Sequence, residues 1–172
     1  MAKLVIHGGR PLRGVVRVGG RKNSAVAVLP AALLASKGSS VIENLPDIRD
    51  VRVYMDILRH LGAEVEVLDE NRVRVDATRA LPRPVPYAVA KKMRASYYLV
   101  GSLLARFGEA EVAMPGGCDI GLRPIDQHIK GLTALGAEVT VEGGVIRVRA
   151  DRLVGTTIYL DVVSVGATIN IM

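Results

Sequence analysis

The sequence predicts an α/β chain built from a repeated unit of helix, strand, helix, strand and strand. Two segments that begin at Leu58 and Leu132 share seven of ten residues at an offset of 74, in the pattern Leu-x-x-Leu-Gly-Ala-Glu-Val-x-Val. Upstream, Leu33-Leu-Ala recurs as Leu103-Leu-Ala at an offset of 70. A repeat of this size is too large for a solenoid and is typical of an internally symmetric α/β domain. With 49% hydrophobic and only 3% aromatic residues, the core is expected to be aliphatic.

The chain begins with two short β-branched segments. Residues 3–6 and 14–18 are separated by Gly8, Gly9 and Pro11, which predicts a small pair of strands.

A buried helix follows, because residues 25–36 are rich in Ala, Val and Leu. Asn23 or Ser24 is expected to cap it, which leaves backbone N–H groups at its start that suit an anion. Arg21 and Lys22 precede the caps. Spacing alone gives equal weight to an anion site and to solvated loop charges.

The rest of the first unit contains a strand, an amphipathic helix and a hairpin. The predicted elements are a strand at 40–44, a helix at 51–61 with Asp47 as a cap and Gly62 as its end, and hairpin strands at 64–68 and 72–76.

The second unit repeats this order after a linker marked by Pro82, Pro84 and Pro86. The predicted elements are a helix at 88–106, a strand at 111–114, a helix at 124–135 closed by Gly136, and hairpin strands at 138–142 and 145–149. Residues 158–160 and Ser164-Val-Gly-Ala-Thr resemble the start of a third copy, within which the chain is expected to stop.

One cysteine stands out, because Cys118 is the only thiol in 172 residues. It lies in Pro115-Gly-Gly-Cys-Asp-Ile-Gly, where the glycines allow a tight backbone path close to a ligand. Arg123, His128 and Lys130 follow closely and favour the thiolate. A small hydrophobe in the core is the alternative, but the flanking residues are loop formers and indicate a reactive residue.

Charge and composition narrow the class of partner. A net charge of +6 favours anionic partners, but the basic residues form no run and have no interleaved aromatic residues, so a phosphorylated small molecule is favoured over nucleic acid. The N-terminus has no signal-peptide pattern, and the longest apolar run, 25–35, contains Pro30 and is too short to cross a membrane. We therefore expect a cytoplasmic protein without membrane contact. The histidines lack metal-ligand spacing, so no metal is expected.

Four motifs carry a resemblance to a known family. They are Arg21-Lys-Asn, Lys92-Met-Arg-Ala-Ser, Pro115-Gly-Gly-Cys-Asp-Ile-Gly-Leu-Arg-Pro-Ile-Asp and Asp161-Val-Val-Ser-Val-Gly-Ala-Thr. In this order they closely resemble the UDP-N-acetylglucosamine 1-carboxyvinyltransferase family, over the whole chain. The resemblance implies an inside-out α/β barrel of enolpyruvyl transferase type, of which this chain would be an incomplete part. The active site would lie in a cleft between two such domains.

The resemblance also implies a reaction. The enolpyruvyl group of phosphoenolpyruvate is transferred to the 3-hydroxyl of UDP-N-acetylglucosamine, the first committed step of peptidoglycan synthesis, without a cofactor. Cys118 matches the general acid, which in the family also forms a covalent adduct with phosphoenolpyruvate and is alkylated by fosfomycin. The residues that match substrate contacts are Lys22, Asn23, Arg94, Arg123, Pro124, Ile125, Asp126, Gln127, Val162, Val163, Ser164 and Val165.

The implied roles differ along the chain. Lys22 and Asn23 would contact phosphoenolpyruvate and the sugar, Asp126 would accept from the uracil N–H, and Ser164 is the one side-chain donor in its segment. Gln127 stands where members often carry Leu, a change that need not disturb a backbone contact. His128 is expected to be a helix-face residue and not a catalytic base.

The resemblance finally implies how the chain is divided. Residues 1–20 would belong to a second, largely missing domain, and residues 21–172 would form two repeats and the start of a third in the first domain. The family's base aspartate and several arginines would lie after residue 172, so we expect this N-terminal fragment to be inactive without the missing C-terminal portion. The alternatives are a 5-enolpyruvylshikimate-3-phosphate synthase-like transferase, which Pro-Gly-Gly-Cys argues against, and a non-catalytic nucleotide-sugar-binding fragment.

Overall fold

The chain folds into two similar units, each with a three-stranded antiparallel sheet packed on helices. The computed structural model describes residues 3–9, 11, 13–90, 93–114 and 125–172. The strand order is β1-β3-β2 in the first sheet and β4-β6-β5 in the second. In both sheets the last strand of the unit lies in the middle. It pairs on one side with its hairpin partner and on the other side with the first strand of the unit.

The first unit begins with a helix and ends with a hairpin. Its elements are α1 Lys22–Ala31 with a 3₁₀ turn Ala32–Leu34, β1 Ser39–Ile42, α2 Arg49–His60, β2 Glu64–Asp69 and β3 Arg72–Asp76. Gly62 follows α2 with a φ of 93°, a left-handed conformation that glycine adopts without strain. The predicted helix end and hairpin are confirmed.

The second unit repeats this order, with a broken first helix. Its elements are α3 Tyr87–Ala90, a 3₁₀ helix Arg94–Tyr98, α4 Leu99–Phe107, β4 Glu109–Ala113, α5 Asp126–Ala134, β5 Glu138–Glu142 and β6 Val145–Arg149. A last helix, α6 Val165–Ile171, follows an extended segment. The prediction of one continuous helix over 88–106 is therefore wrong, since α3, the 3₁₀ helix and α4 are separate elements.

The two hairpins correspond strand by strand, but the offset between equivalent residues is one smaller in their second strands than in their first. In the first hairpin Glu64 pairs with Asp76, and in the second Glu138 pairs with Arg149. The first strands are 74 residues apart and their partners 73, because β2 contains an irregularity between Val67 and Asp69 that β5 lacks. A bulge adds one unpaired residue to a strand, so the repeat is structural and its offset shifts by one.

The core lies between the sheets and the helices. Val73 and Val75 in β3 are buried while Arg72 and Arg74 are exposed, and Ile146 and Val148 in β6 repeat this alternation. The apolar face of each sheet is covered by helices, since α2 packs on β2 in the first unit and α4 and α5 pack on β4 and β5 in the second. The expected aliphatic core is confirmed, with Tyr54 the single aromatic among its largest fully buried side chains.

Three further predictions are corrected. The described residues of 3–20 form no strand, and Leu4, Ile6, Val15 and Val16 are more than four-fifths exposed, because neither of the two described sheets pairs with them. The helix starts at Lys22 with Arg21 as its N-cap and no side-chain cap, so Asn23 and Ser24 lie inside it. Asp47 likewise does not cap α2, whose N-cap is Ile48.

The segment 158–160, expected to begin a third copy of the unit, has no regular secondary structure and pairs with no described strand, whereas residues 165–171 form the helix α6. Among the described residues the two sheets do not close into a barrel. Within the same residues no helix combines the length and apolar character that crossing a membrane requires.

Candidate functional site

The predicted site residues at the start of α1 are open to solvent. Asn23 is exposed, and Lys22 Nζ lies 2.5 Å from Asp50 Oδ2, in the first turn of α2. Because the Lys22 side chain is 57% exposed, this ion pair leaves its ammonium group accessible. An anion at this helix start would meet uncapped N–H groups and Lys22 together.

A second group of predicted residues surrounds the start of α5. Ile125 is the N-cap of this helix, and Asp126 and Gln127 form its first turn. Gln127 is buried and its amide joins α5 to the segment before α6: Nε2 donates to Asp161 Oδ2 at 3.2 Å, and Oε1 accepts from the Asp161 N–H at 2.9 Å. Nε2 also donates to Asp126 Oδ2 at 3.0 Å, which fixes that carboxylate.

Asp161 is further held by a charge. Lys130 Nζ donates to Asp161 Oδ1 at 2.6 Å. The bonds from Lys130 and Gln127 lower the pKa of Asp161, so the carboxylate stays ionised. Lys130 and Gln127 therefore anchor the segment 161–165 beside α5.

The predicted contacts at 162–165 lie on the surface. Val162, Val163 and Val165 are 60%, 100% and 70% exposed, which is unusual for three valines so close in sequence. Ser164 is the N-cap of α6, where its Oγ accepts from the Ala167 N–H at 3.2 Å. The Ser164 hydroxyl hydrogen remains available to a ligand, because capping uses only the oxygen lone pair.

The remaining predicted residues lie outside the part of the chain that the structure describes. They are Cys118, Arg123 and Pro124, together with the side chain of Arg94. The backbone of Arg94 begins the 3₁₀ helix Arg94–Tyr98. In the sequence, Cys118 follows β4, which ends at Ala113, and precedes α5.

The structure also reveals a buried polar cluster that sequence reasoning missed. Asn170 in α6 is 7% exposed, and its Nδ2 lies 3.2 Å from Tyr97 O and 3.1 Å from His128 Nδ1. Its Oδ1 accepts from the Gly101 N–H at 2.8 Å. The signal in the sequence that could have indicated this cluster was the amide of Asn170 within the mostly apolar helix Val165–Ile171.

His128 belongs to this cluster and lies on the buried face of α5. It is 9% exposed, and the ring of Tyr97 meets its ring edge-on at a centroid distance of 4.9 Å. Burial lowers the pKa of His128, with the Asp126 charge opposing the shift, so the imidazole is neutral at pH 7. Burial, followed by the influence of Tyr97, raises the pKa of Tyr98 to about 12.

The structure brings some predicted residues together and leaves others apart. Asp126, Gln127 and the segment 162–165 are joined through Asp161. Within the described residues, no hydrogen bond or ion pair connects Lys22 or Asn23 to that group. A cavity of about 390 Å³ lies nearby, between α1, α4 and α6, but its lining is chiefly apolar and includes none of the predicted site residues.

Comparison with known proteins gives one family. The model of EPSP synthase (3-phosphoshikimate 1-carboxyvinyltransferase) matches residues 6–172. The chain is 58% identical over its whole length to UDP-N-acetylglucosamine 1-carboxyvinyltransferase 3 from Caldanaerobacter subterraneus subsp. tengcongensis, and 55% identical to UDP-N-acetylglucosamine 1-carboxyvinyltransferase 2 from Clostridium acetobutylicum. It spans 41% of the length of each, or about two fifths.

Two solved structures share the fold. The enolpyruvyl transferase NikO from Streptomyces tendae superposes with a TM-score of 0.70 at 30% identity, over 86% of this chain and 32% of that one. EPSP synthase from Acinetobacter baumannii superposes with a TM-score of 0.70 at 19% identity, over 92% of this chain and 37% of that one, and this likeness concerns the fold alone.

Proposed function

Because this chain belongs to the EPSP synthase (3-phosphoshikimate 1-carboxyvinyltransferase) family, we propose that it forms the N-terminal part of an enzyme that transfers the enolpyruvyl group of phosphoenolpyruvate to the 3-hydroxyl of UDP-N-acetylglucosamine. The observation that carries this proposal is the identity of 54–58% over the full chain to enzymes named for that activity. The solved EPSP synthase structures share only 19% of residues with it, which favours the nucleotide sugar over shikimate 3-phosphate as acceptor.

The proposed chemistry assigns Cys118 the role of general acid. The 3-hydroxyl oxygen of the sugar bonds to the central carbon of phosphoenolpyruvate, and the thiol proton goes to the methylene carbon. The hydroxyl proton leaves to a base outside this chain. The Cys118 thiolate then takes a proton back from the new methyl group while phosphate leaves the central carbon, which restores both the double bond and the thiol. A thiol suits this step because its proton can be exchanged near neutral pH.

The described residues support a role in binding. Lys22 and the uncapped start of α1 present positive charge to a phosphate or carboxylate. The Asp126 carboxylate, held by Gln127, can accept from the uracil N–H, and Ser164 can donate to the nucleotide. Arg94, Arg123 and Pro124 are assigned to the same binding surface through the family motifs.

The same proposal places the protein in peptidoglycan synthesis in the cytoplasm, and so in cell-wall biogenesis, cell shape and cell division. It makes Cys118 the target of fosfomycin. Residues 1–20 are proposed to complete a second domain, which the exposure of Leu4, Ile6, Val15, Val16 and Val18 supports.

A chimera tests the activity. The chain replaces the matching N-terminal 41% of the Caldanaerobacter relative, and phosphate release is measured with phosphoenolpyruvate and UDP-N-acetylglucosamine. We expect turnover, a fall of at least 100-fold in Cys118→Ala, and one fosfomycin adduct by mass spectrometry in the parent chimera only.

Two outcomes would decide for the alternatives. Turnover with shikimate 3-phosphate in place of the nucleotide sugar would favour the EPSP synthase-like acceptor. Binding of UDP-N-acetylglucosamine by calorimetry without phosphate release from a folded chimera would favour the non-catalytic fragment.

A further inference from the structure

The Asn170 side chain binds partners of which one needs a hydrogen-bond acceptor and another needs a donor, and a side-chain amide provides both. Gly101 presents an N–H, which requires an acceptor, and Tyr97 presents a carbonyl oxygen, which requires a donor. These two partners fix the orientation of the Asn170 amide, with Oδ1 toward Gly101 and Nδ2 toward Tyr97. The second hydrogen on Nδ2 then points to His128 Nδ1, 3.1 Å away.

This geometry also fixes the tautomer of His128. A ring nitrogen that accepts a hydrogen bond carries no proton, so the neutral imidazole holds its proton on Nε2. Nε2 lies on the side of the ring toward Gly166, at 3.3 Å from the position of a Cβ added there. The same position is 3.3 Å from Tyr97 Oη and 3.4 Å from Tyr98 Oη, so the start of α6 packs closely against both elements.

Two of the three partners of Asn170, His128 and Tyr97, belong to segments that carry proposed substrate contacts, while the third, Gly101, lies in α4. His128 follows Asp126 and Gln127 in the first turns of α5. Tyr97 belongs to the 3₁₀ helix that Arg94 begins, and Asn170 itself lies in α6, whose N-cap Ser164 ends the exposed segment 162–164. The backbone of Asn170 is also so close to α4 that a Cβ on Gly101 would lie 2.2 Å from Asn170 O.

We propose that Asn170 is a positioning residue, whose buried amide sets the segments around Arg94, Asp126–Gln127 and Val162–Val165 in the relative positions that nucleotide-sugar binding requires. This inference rests on the proposed function. Asn170 acts through its neighbours and makes no contact with substrate. The groups that face His128 in this cluster are Tyr97 and Tyr98 from the 3₁₀ helix, Asp126 from α5 and the Asn170 amide from α6.

Two variants separate positioning from packing. Asn170→Asp keeps the shape and the acceptor for Gly101, but replaces the two N–H donors with a carboxylate oxygen that faces Tyr97 O and His128 Nδ1. Asn170→Leu removes every hydrogen bond. Val75→Ala is the matched control, because it removes buried volume from β3 in the other unit, away from all proposed contacts.

The first readout is nitrogen-15 NMR of the 172-residue chain. We expect the wild-type His128 ring to be neutral at pH 7 with its proton on Nε2. In Asn170→Asp the ring should become doubly protonated at pH 7, and the Asp161 amide and Gln127 side-chain signals should shift. A wild-type proton on Nδ1, or unchanged Asp161 and Gln127 signals in both Asn170 variants, would overturn the proposal.

The second readout is steady-state kinetics of the chimera. We expect either Asn170 variant to raise KM for UDP-N-acetylglucosamine about tenfold while kcat changes less than about threefold, and Val75→Ala to leave KM unchanged. Equal KM values for Asn170→Asp, Asn170→Leu and wild type would overturn the proposal. An inactive wild-type chimera would instead contradict the proposed function, and the NMR signals would then decide alone whether Asn170 positions these segments.

Discussion

At the scale of single residues, buried polar side chains mark the places where elements meet. Gln127 and Asn170 are both at most 7% exposed, and each uses its amide as donor and acceptor between segments far apart in sequence. A buried amide that lost such partners would cost about 1–3 kcal/mol, so these contacts specify one arrangement. The sequence identified Gln127 as part of a motif but did not explain why a glutamine stands there. The structure shows that its amide bonds to Asp161.

The lowered pKa of His128 predicts how the stability of the folded chain depends on pH. Because burial lowers the pKa of His128, the unfolded chain binds more protons than the folded chain at pH values between the lowered pKa and the ordinary histidine value of about 6.5. The stability that the neutral His128 contributes is therefore fully present above this ordinary value and is lost as the pH falls toward the folded pKa. Melting temperatures from pH 7.5 to 5.0 should show this loss.

His128→Asn is the control for this prediction, because its oxygen can accept in place of Nδ1 and it does not titrate. The pH slope should be shallower in the variant than in wild type. Parallel slopes in the two proteins would show that His128 is not the group responsible.

At the scale of elements, the two units are joined at the end of α4. Arg106 is half-buried, and its guanidinium donates to Leu33 O, to Ala35 O at 2.8 Å and to Ala77 O at 2.7 Å. These carbonyls lie just after α1 and just after β3. One side chain of the second unit therefore binds the backbone of two segments of the first unit. Arginine suits this position because its donors are fixed in one plane and its charge is permanent.

Arg106→Met should reduce the free energy of unfolding by about 2–3 kcal/mol, because three partly buried carbonyls lose a charged donor while the apolar stem is kept. Urea unfolding of the chain measures this change. Arg152→Met, at an exposed position, serves as the matched control and should change it by less than about 0.5 kcal/mol. A loss as small as that of the control would contradict the bridging role.

At the scale of the whole molecule, the two units form one core but leave the N-terminal segment uncovered. The described residues before Gly20 make no backbone hydrogen bond to another described residue, and several of their apolar side chains are almost fully exposed. Contiguous exposed apolar surface typically marks an interaction site. We propose that the second domain covers this surface.

Hydrogen exchange tests the domain assignment. In the 172-residue chain, the amides of residues 3–9 and 13–18 should exchange as fast as those of an unfolded peptide, since they make no backbone hydrogen bond to another described residue. In the chimera with the Caldanaerobacter relative they should be protected at least 100-fold, while β3 is protected in both proteins. Fast exchange in a folded, active chimera would refute the assignment of residues 1–20 to a second domain.

The sequence by itself determined the elements that local patterning controls. The hairpins 64–76 and 138–149, the helix ends at Gly62 and Gly136 and the repeat of the two units were all predicted, because alternation, glycine conformation and recurring segments are encoded by neighbouring residues. The motifs likewise indicated the family. These features require no knowledge of distant contacts.

Only the tertiary structure decided where the helices break and which polar residues are buried. The helix predicted over 88–106 is interrupted, and the 3₁₀ helix Arg94–Tyr98 and α4 are held by Asn170, some 70 residues later in the chain. The strands predicted near the N-terminus did not form, since a strand needs a partner for its backbone groups and none of the described strands pairs with these residues. Contacts of this kind depend on which segments meet in space, and the local sequence does not specify that.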